Sequence, residues 1–212
     1  MHYSWTVHLN FKDILVVGAH PDDIEYSCLG FLLHQKELGA RITAFIASSG
    51  SINDNTSGIE RIQESHKSLE FNGFEQFYSN VGNFNYVQTE AEIRDLVLSN
   101  SFDCVLVHDP RDTHQEHRII YEITLSAIRR LNLSFIRYRS VSTTQEFIGN
   151  YRVGIDKFFN QKIETLQFHA SQQSKSYMSA ISIENFHTFY DLGDNAERFF
   201  ETFAIQALVD LD

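Results

Sequence analysis

Short apolar runs recur along this chain with helix-length amphipathic segments between them, and that alternation restricts the available folds more than any other feature. Asp13 to Ala19, Arg41 to Ala47 and Asp103 to Val107 read as buried strands. A shorter strand is expected near Gln76 to Ser79, with later ones at Ser134 to Ser140 and Gln145 to Tyr151. Between them, Ile24 to Leu38 reads as a helix stopped by Gly39, and Ile59 to Phe71, Gln88 to Leu98 and His114 to Leu131 read as three more. Lys157 to Gln173 and Asn195 to Leu208 are mostly helical by apolar spacing. Parallel strands need crossover connections, which lay helices on both faces of the sheet. The expected architecture is therefore α/β, a Rossmann-like three-layer αβα sandwich with a mostly parallel sheet, formed by residues 1–212 as one domain.

A formal charge of −11 argues against nucleic acid or an anionic membrane as main partner, because either is repelled on average. No apolar run approaches the roughly 18 residues of a membrane span, and Met1 to Lys12 has no basic stretch leading into an apolar core. The expectation is a cytoplasmic protein with neither a leader nor a membrane span. Cys28 and Cys104 show no CxxC spacing and are expected in packing rather than in a disulfide or a thiolate metal site.

Two polar clusters follow two of these strands. The apolar run Ile14 to Ala19 ends on His20-Pro21-Asp22-Asp23, which sets an imidazole and two carboxylates at the mouth of a buried strand. In open α/β sheets, ligands gather beyond the carboxyl ends of the strands. Pro21 disfavours helix at His20, so the imidazole stays extended while the aspartates enter the next helix. Either aspartate could instead serve as an N-cap. The second cluster, Asp112-Thr113-His114-Gln115-Glu116-His117, follows Val105 to Val107 and runs into a helix. Residues three apart share a helical face, so His114 and His117 can address one small volume at the same sheet edge as His20 and Asp23. Histidine and aspartate suit zinc, three protein ligands leave one position open, and a spare aspartate can take a proton from water there. Asp112 is as well suited to a turn as to orienting a histidine.

Ala19-His20-Pro21-Asp22-Asp23 resembles the AHPDD signature of the PIG-L (LmbE-like) deacetylases, zinc-dependent enzymes that remove N-acetyl groups from glucosamine-containing substrates. The other family motifs follow in order. His114-Gln115-Glu116-His117 resembles HxDH with Glu for Asp, and Arg61 and Glu64 resemble an RxxE helix. Lys162 to Gln172 is similar to KxxALxxHxSQ, and Ala196-Glu197-Arg198-Phe199 to AExF. The chain departs from the family in having Ile24 where Glu is common, and Tyr26-Ser27-Cys28-Leu29-Gly30 in place of a GxGG stretch.

The resemblance implies that His20, Asp23 and His117 hold Zn2+, that Asp22 is the general base, and that His114, as an imidazolium, stabilises the oxyanion of a tetrahedral intermediate. Fe2+ or Co2+ would suit the same donors. It also implies a small-molecule amino-sugar substrate, a GlcNAc-type glycoside or nucleotide-linked sugar, releasing acetate. A homo-oligomer is compatible with the 18 phenylalanines. The alternatives are a Rossmann-like binding module without hydrolysis, or a hydrolase of another acyl or glycosidic bond. Arg61 and Glu64 could pair across one helical turn. His108 could be a wall or a ligand, His169 could brace the site or touch substrate, and Arg152 could meet a phosphate or carboxylate. Ser48 to Gly58 reads as a polar loop rimming the site.

Overall fold

The computed structural model describes residues 9–50, 58–79, 84–189 and 198–209. Its centre is one seven-stranded sheet in the order β3-β2-β1-β4-β5-β7-β6. β1 (Asp13–Gly18), β2 (Arg41–Ile46), β3 (Glu75–Tyr78), β4 (Cys104–His108) and β5 (Ser134–Tyr138) run parallel. β7 (Phe200–Ala207) lies antiparallel between β5 and β6 (Tyr151–Gly154).

The strands earn their central place by having apolar side chains on both faces. Along β1, Ile14 and Val16 enter one core while Leu15 and Val17 enter the other. The first core is covered by α1 (Asp23–Glu37), α2 (Gly58–Phe71) and α5 (Asp156–Leu166), through Leu29, Leu32, Leu69 and Phe158 among others. The second is covered by α3 (Tyr86–Leu98) and α4 (Gln115–Ile128), through Ile93, Leu96, Ile120 and Ile123. Each such aliphatic or aromatic side chain, fully buried, contributes about 1.5–3 kcal/mol. Gly39, at φ +99, ends the first helix in the left-handed conformation that glycine tolerates best, as its place in the sequence predicts.

The three-layer sandwich and its mostly parallel sheet agree with the pattern in the sequence, but three segments differ. Of Asn195 to Leu208, expected to be helical, residues 195–197 lie outside the described residues and Phe200–Ala207 is β7. Phe199, Phe200, Phe203 and Ala204 fit an i, i+3, i+4 stripe, yet inside the strand Glu201 and Phe203 are buried and their neighbours Phe200 and Thr202 less so, so the period of two wins. The strand placed at Gln145 to Tyr151 begins only at Tyr151. Asn150 just before it bonds through its side chain to both the N–H and the C=O of Ile205, at 2.7 and 3.1 Å, and so supplies from a side chain what backbone pairing would have given. The helix from Lys157 stops at Leu166, and Ala170–Gln172 is a single 3-10 turn. A further short helix, α6 (Ala180–His187), had no strong periodic signal.

Candidate active site

β1 and β4 are neighbours, and the chain leaves them toward opposite faces of the sheet, so a crevice opens beyond their carboxyl ends. The two polar clusters meet there, lining a cavity of about 710 Å³ together with Tyr26, Arg61, Ser140, Gln172, Lys175 and Tyr177.

The turn after β1 separates its two aspartates. Asp22 has φ +92, the one left-handed non-glycine conformation among the described residues, and its carboxylate makes no capping bond to α1. The capping reading of Asp22 thus fails. Freed from the helix end, the carboxylate is buried in the cavity wall, with Arg61 Nη2 3.8 Å from Oδ1 and the Tyr177 hydroxyl 3.4 Å from Oδ2. Burial, then the neighbouring Asp23 carboxylate, push its pKa up to about 6. Asp23 points the other way. Its Oδ2 accepts the His20 backbone N–H at 2.7 Å and lies 3.4 Å from His20 Nδ1 and 3.1 Å from His108 Nε2; its Oδ1 is 3.4 Å from His117 Nε2.

From the other strand, His114 sits one residue before α4 with an extended backbone, not inside the helix, and still its ring stacks on His117 with centroids 4.5 Å apart. Donor atoms of His20, His114 and His117 all fall within 4.8 Å of one another, as do those of Asp23, His108 and His117. His117 belongs to both groups. Its other nitrogen, Nδ1, is 3.0 Å from Asp112 Oδ2, which also accepts the Ser140 hydroxyl. Asp112 Oδ1 accepts the His114 backbone N–H at 2.8 Å, so Asp112 both fixes the turn that leads into α4 and orients His117. Glu116 crosses the crevice to bond His20 Nε2.

Burial disfavours a charged ring at His117, but the carboxylates of Asp23 and Asp112 outweigh it and raise its pKa to about 10. Asp23 is held well below the usual carboxylate range despite burial, by His117 and His108. His108 is fully buried, and burial with the adjacent His117 lowers it to about 4, so its ring is neutral. The cluster therefore draws positive charge to one point, which is what a cation site requires. Asp23 meets His20 Nδ1 through Oδ2 and His117 Nε2 through Oδ1, at 3.4 Å each, so the expected trio of His20, Asp23 and His117 touches pairwise while the two close donor groups share only His117. His114 differs from expectation. Burial and the neighbouring His117 and His20 lower its pKa, so the ring standing there is a neutral N–H donor rather than an imidazolium.

A buried polar layer props this wall from behind. Arg61 donates to the carbonyls of Gly50 (2.7 Å) and Pro21 (3.2 Å), while Glu64 accepts from the backbone N–H (2.8 Å) and hydroxyl (2.6 Å) of Ser171. The two RxxE residues thus turn to different partners. Gly50 has φ +65, and a Cβ there would lie 2.4 Å from Arg61 Nη1 and 2.9 Å from His20 Cδ2. His169 is buried and bonds Glu25 at 3.0 Å, which makes it a brace. Most of the loop from Ser48 to Gly58, residues 51–57, lies outside the described residues, as do Ala196 and Glu197. Sequence reasoning missed Tyr177, Ser140 and Lys175 in the cavity wall, for they stand in segments with no metal-ligand or catalytic spacing.

The fold recurs in solved proteins of low sequence identity. N,N'-diacetylchitobiose deacetylase from Pyrococcus horikoshii superposes with a TM-score of 0.77 at 16% identity, over 92% of this chain and 84% of that one. A 4-carboxy-2-hydroxymuconate hydratase, GalB from Pseudomonas putida KT2440, does so with 0.72 at 12% identity, over 95% and 98%, so the fold by itself does not fix the reaction. In sequence, the chain is 27% identical to the uncharacterized deacetylase YaiS of Escherichia coli K12, over 76% of this chain and 91% of that protein. No helix among the described residues is long and apolar enough to cross a membrane. The model of the family PIG-L, GlcNAc-PI de-N-acetylase, matches residues 15–128, more than half of the chain and the stretch from within β1 through the histidine pair to the end of α4: the chain belongs to the PIG-L family.

Proposed function

We propose that this protein is a metal-dependent N-deacetylase, hydrolysing the acetamide of an N-acetylated amino sugar to free amine and acetate. The observation that carries the reading is the meeting, in one cavity, of a cation-drawing cluster of His20, Asp23 and His117 with a buried carboxylate, Asp22, that neither caps a helix nor joins the cluster. Family membership supports the same reaction class.

His20, Asp23 and His117 would hold the cation, for which zinc is the natural choice and Fe2+ or Co2+ the alternatives. When bound, the cation supplies Lewis acidity, polarising an amide carbonyl and making water acidic near neutral pH. With Asp112 accepting from Nδ1, the nitrogen that His117 would offer the cation, on giving up its proton, is Nε2, which faces Asp23. Asp22 takes the proton from the attacking water and passes it to the departing amine; a carboxyl raised to about 6 suits both halves of that transfer at neutral pH. His114 donates an N–H to the oxygen that becomes negative. Arg61 and Tyr177 hold Asp22 from either side.

The test is acetate release from a panel of N-acetylglucosaminides by the metal-loaded protein and its Asp22→Asn variant. The variant is expected to retain metal and to lose at least about 10² in kcat. Full activity in the variant refutes the base; failure of the wild type to release acetate from any N-acetyl sugar refutes the deacetylase.

A further inference from the structure

One histidine against the cation cluster takes no part in the proposed chemistry. His108 closes β4, is fully buried and does not line the cavity, yet it touches two of the three residues assigned to the cation. Its Nε2 lies 3.1 Å from Asp23 Oδ2, and its ring stacks on His117, with centroids 3.8 Å apart and planes 20° from parallel. The ring of Tyr138 packs on it as well, with a centroid separation of 4.6 Å, and is itself tied through its hydroxyl to the carbonyl of Val17 at 2.8 Å. Packing thus fixes where the His108 imidazole stands.

Asp23, His108 and His117 bring donor atoms within 4.8 Å of one another, which leaves His108 two roles, cation ligand or orienting donor. The ring geometry decides between them. An imidazole lone pair lies in the plane of its ring, so two nearly parallel stacked rings aim their lone pairs side by side, whereas the ligands of a tetrahedral ion must converge. A separation of 3.1 Å between Nε2 and Oδ2 is that of a hydrogen bond.

The proton of that bond belongs on Nε2. Nδ1 is buried with no hydrogen-bond partner among the described residues, so a proton there would be a buried N–H left unmet. Nε2 has two neighbours, the Asp23 carboxylate and the Ala19 backbone N–H at 3.3 Å. Accepting from Ala19 would strand the proton on Nδ1 and set a lone pair against a carboxylate. Donating to Asp23 makes a charge-assisted bond and gives up one long backbone contact, and is the stronger arrangement. Asp23 Oδ2 is then held by two N–H groups, this one and the His20 backbone N–H at 2.7 Å. The other oxygen, Oδ1, remains for the cation, on the side where His117 Nε2 stands at 3.4 Å.

We infer that His108 is a positioning residue that keeps Asp23 a one-oxygen ligand, and so keeps a coordination position open for water and substrate. The inference rests on the reading of His20, Asp23 and His117 as the cation's ligands.

Two replacements separate the donor from the packing. His108→Gln keeps an N–H near the place of Nε2 and loses the ring; His108→Phe keeps a ring and loses the donor. Zinc affinity is read by competition with a chelator, and the coordination of Co2+ by the intensity of its visible absorption, which falls when the ion is no longer tetrahedral. His108→Phe is expected to weaken zinc binding by about 10- to 100-fold and to dim the Co2+ bands, as the second oxygen of Asp23 reaches the ion. His108→Gln should stay closer to the wild type in both readouts. A packing role predicts the reverse order, and a ligand role predicts equal loss of metal in the two variants; either result overturns the inference. Should His108→Phe fail to fold, the zinc-loaded wild type decides through long-range 1H–15N correlation of its histidine rings, with His108 identified by its contacts to the Tyr138 ring. A proton on Nε2 is expected, and a proton on Nδ1 or a zinc-shifted Nε2 overturns the role. A wild type that takes up neither metal refutes the cation site and this role with it; every other failure leaves wild-type metal binding intact, so the two are told apart.

Discussion

Replacing Asp112 by Asn changes one atom and should disable the metal centre. In the wild type, Asp112 accepts on both oxygens, from the His114 N–H at 2.8 Å and from His117 Nδ1 at 3.0 Å, with the Ser140 hydroxyl on the second oxygen as well. An asparagine has one acceptor and one donor end. If its oxygen keeps the His114 N–H, its amide N–H groups face His117 Nδ1, and the imidazole must carry its proton on Nε2, the nitrogen that faces Asp23. If the amide is turned round, a donor meets the His114 N–H and the turn before α4 loses its bond. The first arrangement is the cheaper, and it blocks the lone pair that a cation needs. Partners of this kind are worth about 10- to 100-fold in metal affinity, or about 1.4–2.7 kcal/mol, and the wrong tautomer places Asp112→Asn at the upper end. The assay is competition for zinc against a chelator of known affinity, with acetate release measured at saturating metal. Wild-type zinc affinity in Asp112→Asn would refute the tautomer argument and, with it, the assignment of His117 as a ligand.

Two other perturbations separate chemistry from framework. His114→Ala should lower kcat by about 10² to 10³ with metal content unchanged, read by turnover alongside metal analysis; equal loss of metal would make His114 a ligand instead. Lys162→Met leaves the Glu201 carboxylate buried with only the N–H groups of Gly30 and Phe31, at 2.8 and 2.7 Å, in place of a counter-ion that stood at 2.7 Å. It should cost about 3–5 kcal/mol, a fall in Tm of about 6–20 °C at this chain length, and a scan within a degree or two of the wild type would contradict the uncompensated charge.

The parts of this protein that sequence reasoning reached are those governed by local rules. β1, β2 and β4 carry apolar residues on both faces, so their depth in the sheet was legible, and the histidines and aspartates just beyond β1 and β4 had to lie on one edge of the sheet. What escaped depends on contacts between distant segments. Phe199 to Ala204 satisfies helical and strand spacing equally, and only the exposed flank of β5 decides between them. Tyr177 reaches Asp22 from 155 residues away, out of a short 3-10 turn with no periodicity of its own. Asp112 did signal its position, but not that a single carboxylate serves a helix start and a histidine at once.

The insertion of β7 between β5 and β6 bears on how the molecule is made. β6 finds its hydrogen-bonding partner in a strand that follows it by nearly fifty residues, and Arg139 is tied to Thr202 of that same strand. During vectorial synthesis the nascent chain can assemble β1 to β5 with the histidine cluster while the flank of β5 stays bare. Ser140 to Thr143 are held from the β4 side by Asp112 and Thr113, so that wall can take shape early, and only the tie from Arg139 to Thr202 awaits the arrival of the final strand.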